Sequence, residues 1–555
     1  MTQIEASFDH FVLFLQSLNE RDEQGLFASG QLDAEEVVLF FHDANFHRRT
    51  RRSVHLCPLL KRGGAERPLF WRRRRGYIHR GLVRASWMRT LVVGGGAREH
   101  AIGMALHRAG AQIVVASSNA NPGLERLAQA TARVDPTDPA RVVDVGRSQR
   151  VDLAVLGPEA PLATGVADAL RQAEIPTVGP DQSAARIETS KWFCRDLLGR
   201  HGVPGQLKWV APESPEEVDR VIATFPQPFV VKPSGLTAGK GVWVQGSDFT
   251  DVKDGAIYAK SLLLQGGRVL LEEKLEGEEF SLMAFVTDSG VYPMPAVQDF
   301  KRALEGDRGG NTGGMGSYSQ RDHLLPFLSA TDRDRAVEIV NAAARAIRAE
   351  GLSYRGILYG GFMLTADGPR LLEFNARFGD PEGINTLTLY EEGDFAELLA
   401  GVAGGRVDPN LIQFRLRSTV VKYLVPPGYG DRPRPGGILH LDAGAIEATG
   451  VHVVYGSVES AGPGAVRLGT SRGIALVGEA SAIHEAGNRV EAALALVNGE
   501  YYLRHDIGTQ KDLEARWEHL RRLRAPNAKP SPLPLSVAPP DAPPSSAGPP
   551  GQLTG

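Results

Sequence analysis

The chain reads as a multidomain protein of mixed α/β and α+β class, and three observations predict it. From Met88 onward short apolar runs alternate with helical stretches; between about residues 189 and 405 the strands pair around Gly-rich turns; and near Leu416 a β-rich stretch opens that a helix later closes. At 555 residues the chain exceeds one hydrophobic core, so several domains are expected.

Element by element, Arg89-Thr90-Leu91-Val92-Val93 has the uninterrupted apolar character of a buried strand, Gly94-Gly95-Gly96 is a sharp turn, and residues 98–109 form a helix. A strand over 112–116, a helix near 139–148, a strand over 153–156, a helix over 163–173 and a strand over 177–179 follow. Such alternation implies right-handed crossovers and a parallel sheet over 88–188. The β-rich region has strands at 416–425, 451–457 and 474–477 and a helix at 480–497, within a domain spanning 410–515. Residues 1–87 lack this rhythm. An acidic, mixed start gives way to an arginine-dense piece containing Arg72-Arg73-Arg74-Arg75, so this extension is expected to lie outside the fold, which begins at Met88. After Arg524, residues 525–555 are rich in Pro, Ala and Ser and too poor in large apolar side chains to offset the entropy of ordering.

Composition narrows the function. A net charge of -3 argues against a dedicated nucleic-acid binder. Cys57 and Cys194 provide neither a disulfide framework nor zinc-ligand spacing, which suits a reducing cytoplasm. No apolar run reaches membrane-spanning length, and the start lacks the basic region of a signal peptide, so no membrane partner is expected.

The most informative string is Leu371-Leu372-Glu373-Phe374-Asn375-Ala376-Arg377-Phe378-Gly379-Asp380-Pro381-Glu382. In a strand, Glu373 and Asn375 share one face and present two hard oxygen donors, a set Mg²⁺ accepts when nucleotide phosphates complete its shell. Arg377 continues that face with a planar fork suited to phosphate or carboxylate. Lys232 ends the apolar run Phe229-Val230-Val231, where a charge needs an anionic partner, and Leu236-Thr237-Ala238-Gly239-Lys240-Gly241 follows as a mobile flap that does not match the P-loop pattern. Lys191 opens a helix and is a second phosphate candidate. The strand running into Glu272-Glu273-Lys274-Leu275-Glu276-Gly277-Glu278-Glu279 offers edge groups to an adenine and a carboxylate to a ribose.

Gly94-Gly95-Gly96-Ala97-Arg98-Glu99, between a strand and a helix, is an anion site by position. It is not a dinucleotide fingerprint: Glu99 stands where the third glycine would fall, and no acidic residue follows the second strand. A sugar phosphate is the expected ligand, with Glu159 at the neighbouring strand end accepting from an amine or hydroxyl.

Together these motifs resemble the ATP-grasp ligases, and within them the phosphoribosylamine–glycine ligases of purine biosynthesis, from Met88 to about Asp512. The most specific strings are Arg377 to Glu382 and Gln298-Asp299-Phe300-Lys301-Arg302 followed by Asp307 and Asn311-Thr312-Gly313-Gly314-Met315-Gly316. The resemblance implies a pre-ATP-grasp Rossmann-like domain over 88–188, an ATP-grasp pair over 189–405 with a mobile lid near 205–275, and the C-terminal β-rich domain. It also implies a monomeric enzyme that joins glycine to 5-phosphoribosylamine through glycyl phosphate, consuming ATP. Glu373 and Asn375 would hold Mg²⁺ or Mn²⁺, and Lys191 and Lys232 would approach ATP phosphates. Glu272, Lys274, Leu275 and Glu279 would line the adenosine. Asp299, Lys301, Arg302, Asn311 and Thr312 would hold glycine and the triphosphate end, with Arg377 and Asp380 nearby; Gly94, Gly95, Gly96, Arg98, Glu99 and Glu159 would face phosphoribosylamine. Four places depart from the family pattern: Phe300 replaces a usual histidine, Gly310 a usual proline, Gly383-Ile384-Asn385 follows Glu382, and Gly361 stands where some members carry a glutamine ligand. None removes a required charge. The alternatives are another ATP-grasp carboxylate–amine ligase and a nucleotide-binding homologue without catalysis.

Overall fold

The computed structural model describes residues 88–236, 241–391 and 393–525. The extension read over 1–87, flap residues 237–240 and the tail from 526 lie outside the described residues.

Arg89–Val93 buries Leu91, Val92 and Val93 completely and pairs in parallel with both Gln112–Ser117 and Leu153–Leu156. The five-stranded sheet runs, in spatial order, Ala128–Arg133, Gln112–Ser117, Arg89–Val93, Leu153–Leu156 and Thr177–Val178. Strand order reverses at Arg89–Val93, and the Gly94–Gly96 turn leaves its carboxyl end, where open α/β sheets collect ligands.

Within this N-terminal domain three elements differ from the sequence reading. The single helix expected over 163–173 is two, Glu159–Ala163 and Val166–Gln172, because Gly165 adopts a left-handed conformation (φ 80°) between them. The helix Pro122–Leu127 and the strand Ala128–Arg133 were not anticipated. That strand is an edge of alternating small and polar residues, with no apolar run to announce it.

Three further sheets position the site. Val291–Pro293, Glu278–Val286, Gly356–Thr365 and Gly368–Asn375 form an antiparallel sheet backed by the helix Ala330–Ala349. Trp209–Val210, Val269–Glu273, Phe229–Pro233 and Trp243–Val244 form a smaller sheet with its own core, including Val218, Phe229, Val231 and Leu271. In the third, Gln298–Asp299 and Gly316–Ser319 join Ser418–Leu424, Ile474–Ala480 and Val451–Tyr455. The string carrying Asp299 is thus hydrogen-bonded into the β-rich region. The closing helix is shorter than the 480–497 read from sequence, spanning Ile483–Ala493. No helix of the described residues is long and apolar enough to cross a membrane.

A polar seam fastens the Gly-rich turn to the β-rich region. Asn121 caps the helix Pro122–Leu127 with its oxygen and donates its amide to Gly95 O (3.1 Å) and Tyr455 O (2.7 Å). His100, 2% exposed, accepts at Nδ1 from Tyr455 N at 2.9 Å. Burial, aided by Arg126, lowers the His100 pKa from 6.5 to about 3, so the ring stays neutral in the fold. The unfolded chain takes up this proton below pH 6.5, and stability therefore falls as pH drops from 6.5 toward 3. At pH 5 this contribution is about 2 kcal/mol. His100→Asn is expected to flatten the fall in melting temperature between pH 6.5 and 5 relative to wild type; equal slopes would contradict it.

Candidate active site

In Gly368–Asn375, Phe374 packs into the core while Glu373 and Asn375 share the opposite, half-buried face, as the period of two requires. Across the ladder Glu373 lies opposite Gly361 and Asn375 opposite Tyr359. Gly361 therefore leaves the space beside Glu373 open; a Cβ there would sit 3.4 Å from Glu373 Cγ. The Glu373 carboxylate makes no hydrogen bond or ion pair among the described residues. Burial alone would raise its pKa, but Lys301, Lys232, Lys191 and Arg377 hold it below the ordinary value.

The lysines converge from separate elements. Lys191 begins the helix Lys191–Arg200, its N–H donating to Ser234 O (2.9 Å) and its Nζ to Gly235 O (3.1 Å); burial and neighbouring Lys232 weaken its hold on the proton. Lys232 Nζ lies 2.6 Å from Glu272 Oε2, and Arg195 Nε donates to Glu272 Oε1 at 2.8 Å. Glu272, read from sequence as lining the adenosine, is 1% exposed and paired with both cations. Although burial opposes its charge, Arg195 and Lys232 lower its pKa to about 2. Glu279, read the same way, instead meets Lys301 Nζ at 2.8 Å. Lys274 donates to Gln245 O (3.0 Å), and Leu275 follows it in the connection between Val269–Glu273 and Glu278–Val286.

Arg377 lies just past the strand end, and its fork meets protein carboxylates: Nη2 is 3.1 Å from Glu188 Oε1 and Nε 3.4 Å from Glu159 Oε2. Nη2 also donates to Asn375 Oδ1 at 3.3 Å. Glu159 lies 3.8 Å from Arg98, and although burial opposes its charge, Arg377 and Arg98 lower its pKa to about 2. Arg98 donates to Phe378 O (3.1 Å), tying the Gly-rich turn to the Arg377 string. Glu99 is 3% exposed; it pairs with Arg98 at 2.8 Å and accepts from Gly96 N at 2.6 Å, so a protein carboxylate already caps this helix. Gly94 and Gly157 leave the room Glu99 fills, since a Cβ at either would lie within 3 Å of its side chain.

On the other side, Asp299 Oδ1 is buried with no hydrogen-bond partner among the described residues, and burial with the nearby Glu382 carboxylate pushes Asp299 well above the usual carboxylate range. Gly314, at φ 111°, makes its position possible: a Cβ there would lie 2.5 Å from both Asp299 Oδ1 and Pro381 Cδ. Thr312 donates to Lys301 O (2.9 Å), and Arg302 reaches Asp248 of the small sheet's segment at 3.3 Å. Asn311 ends the strand Arg308–Asn311, paired with Arg302. Asp380 accepts from Tyr423 Oη (2.5 Å) and Arg472 Nη2 (3.1 Å); Arg472 also donates to Gly313 O at 2.6 Å. A cavity of about 620 Å³ is lined by Gly95, Gly96, Asn119, Asp380, Ser457, Arg467 and Arg472 among others.

The fold brings Lys191, Lys232, Lys301, Arg377, Glu373 and Asn375 together. It sets Gly95, Gly96 and Asp380 around the cavity. Sequence reasoning missed Glu188, Arg195, Tyr423 and Arg472. Only Arg472, in the turn Gly469-Thr470-Ser471-Arg472-Gly473, carried a local signal, a cation in a Gly/Ser-rich connection.

Gly314→Ala is expected to cut activity by roughly a hundredfold by displacing Asp299. Gly351→Ala, at φ 73° with nothing within 4 Å of a new Cβ, meets backbone strain only and is expected to keep full activity. Assays of both variants check the contrast; equal activities would remove the requirement for the Asp299–Gly314 approach.

Comparison with known proteins identifies the family. Residues 88–188 match the family model for the phosphoribosylglycinamide synthetase N domain, and residues 189–383 that for its ATP-grasp (A) domain. The phosphoribosylamine–glycine ligase of Pyrococcus abyssi is 43% identical over 436 residues, 79% of this chain and 98% of that protein; the enzyme of Methanothermobacter thermautotrophicus is 44% identical over 442 residues, 79% and 100%. The crystal structure of phosphoribosylamine–glycine ligase from Thermotoga maritima superposes with a TM-score of 0.64 at 26% identity, covering 76% of this chain and all of that one. A biotin carboxylase from Campylobacter jejuni shares the fold alone, at a TM-score of 0.58 and 15% identity. The multidomain α/β and α+β architecture is therefore an ATP-grasp fold, and the chain belongs to the phosphoribosylamine–glycine ligase (phosphoribosylglycinamide synthetase) family.

Proposed function

We propose that the chain ligates glycine to 5-phosphoribosylamine with ATP, giving glycinamide ribonucleotide, ADP and phosphate in purine biosynthesis. The observation that carries this reading is Glu373, a carboxylate with no partner among the described residues, held ionised among Lys191, Lys232, Lys301 and Arg377. Joining a carboxylate to the γ-phosphate of ATP brings two anions together, and such a cluster is what that encounter needs.

The donor set fits a divalent cation. Glu373 and Asn375 are hard oxygen donors on one face, and no group of three or more His, Cys, Asp or Glu side chains suited to a metal occurs among the described residues, so phosphate oxygens would complete the shell. Mg²⁺ or Mn²⁺ bound there supplies charge neutralisation between the reactants.

The protein's groups do the rest. Lys191 and Lys232 hold the phosphates, with Lys232 leaving Glu272 for them, while Lys274 and Leu275 border the adenosine. Asp299 takes the ammonium of glycine, and Lys301, Arg302, Asn311 and Thr312 hold the acyl end. A glycine carboxylate oxygen bonds to the γ-phosphorus as ADP leaves. The amine of phosphoribosylamine, lodged in the 620 Å³ cavity against Gly95 and Gly96, then attacks the acyl carbon and phosphate departs. Asp380, held by Tyr423 and Arg472, accepts the proton the amine loses. Arg98 and Glu159 steady Arg377 beside the reacting centre, with Glu99 and Gly94 completing the turn. The small sheet between residues 205 and 275 is the lid that excludes water from the acyl phosphate. The net charge of -3 supports action without nucleic acid, and the free, buried Cys194 suits a reducing cytoplasm.

In a coupled ADP assay with each substrate omitted in turn, release is expected to require both glycine and phosphoribosylamine. ADP release with a different carboxylate in place of glycine would assign the chain to another ligation. Glu373→Ala is expected to lower ADP release at least about a hundredfold while its melting temperature stays within about 2 °C of wild type. Near-normal release would remove Glu373 from the phosphate site.

A further inference from the structure

Phe300 occupies the place where a histidine is usual in the ligases this chain resembles, between the two residues read as holding glycine. Backbone bonds from Phe300 N to Gly316 O (3.0 Å) and from Met315 N to Phe300 O (2.8 Å) continue the ladder of Gln298–Asp299 with Gly316–Ser319. By strand alternation Asp299 and Lys301 face the site and Phe300 faces away from it. Its ring is 1% exposed, 5.7 Å from that of Tyr318.

Two guanidinium groups lie over that ring, with Arg504 Cζ 5.0 Å and Arg516 Cζ 4.5 Å from its centroid. Both are anchored elsewhere. Arg504, 0% exposed, pairs with Asp307 (2.8 Å) and Asp506 (2.6 Å) and donates to the backbone oxygen of Arg302 at 3.1 Å. Arg516 pairs with Asp307 (2.9 Å), Glu278 (3.1 Å) and Asp512 (3.1 Å). The carboxylates fix the guanidinium planes, and the negative face of a benzene ring is the apolar surface that attracts them. A neutral imidazole offers a poorer face, and a protonated one would be repelled.

We propose that Phe300 is a positioning residue for glycine: its attraction to Arg504 and Arg516 ties the backbone carrying Asp299 and Lys301 to the C-terminal segment and fixes both side chains relative to Glu373. The inference rests on the ligase reading, with glycine between Asp299 and Lys301. Phe300→Leu keeps apolar bulk and removes the π face. It is expected to raise the KM for glycine about tenfold or more and to leave the KM for ATP within about twofold. Phenylalanines carrying one, two and three ring fluorines at position 300 nearly preserve shape while draining the ring face. Across that series the KM for glycine is expected to climb stepwise with fluorine count, the melting temperature staying level. A flat fluorine series, or a Phe300→Leu variant in which the KM values for glycine and ATP rise alike, would overturn the proposal and reduce the ring to packing. ADP release by wild type that ignores glycine would overturn the ligase reading itself, a different outcome from a glycine-dependent enzyme with a flat series.

Discussion

Everything in the site turns on a carboxylate, that of Glu373, which has no partner among the described residues. Buried carboxylates are ordinarily paired or protonated, because an uncompensated charge in low dielectric is costly. Glu373 escapes protonation through four surrounding cations, none of which forms a direct ion pair with it. Each cation is secured by other means. Lys232 rests on Glu272, Lys301 on Glu279, Lys191 on the Gly235 carbonyl, and Arg377 on Glu188 and Glu159. Three of the four cations keep a protein carboxylate and Lys191 keeps a carbonyl, which leaves the Glu373 oxygens without a partner among the described residues.

The supporting contacts reach across the chain. Arg195 binds Glu272 and also donates to the carbonyls of Leu371 and Leu372, coupling the phosphate lysine to the strand that carries Glu373. Arg472 joins Gly313, on the Asp299 side of the site, to Asp380 in the β-rich region's grip, with Tyr423 beneath its guanidinium at 5.0 Å. The β-rich region thus forms a structural wall of the site, sharing a sheet with Gln298–Asp299 and Gly316–Ser319.

What the sequence made legible was periodic or local. Glu373 and Asn375 were readable because strand alternation fixes which residues share a face, and Lys232 because a charge ending an apolar run requires an explanation. Glu99 was legible as part of an anion site at a helix start; that its own carboxylate accepts from Gly96 N and so occupies the helix end was not. Glu272 was legible only as a residue lining the adenosine; its pairing with Arg195, 77 residues away in sequence, is announced by nothing near it. Arg472 and Asp380 are 92 residues apart and Arg377 and Glu188 come from different sheets' neighbourhoods, so these contacts follow from tertiary packing alone. The edge strand Ala128–Arg133 was missed because it buries little, and the break at Gly165 because one glycine in a helical pattern does not by itself end a helix.

A crystal structure with a non-hydrolysable ATP analogue and Mn²⁺, read by anomalous scattering, would show whether Glu373 and Asn375 hold the metal. A manganese peak contacting Glu373 and Asn375 is expected, with Lys232 Nζ moved from Glu272 onto a phosphate oxygen. A peak elsewhere, with Glu373 still unpartnered and Lys232 still on Glu272, would contradict it.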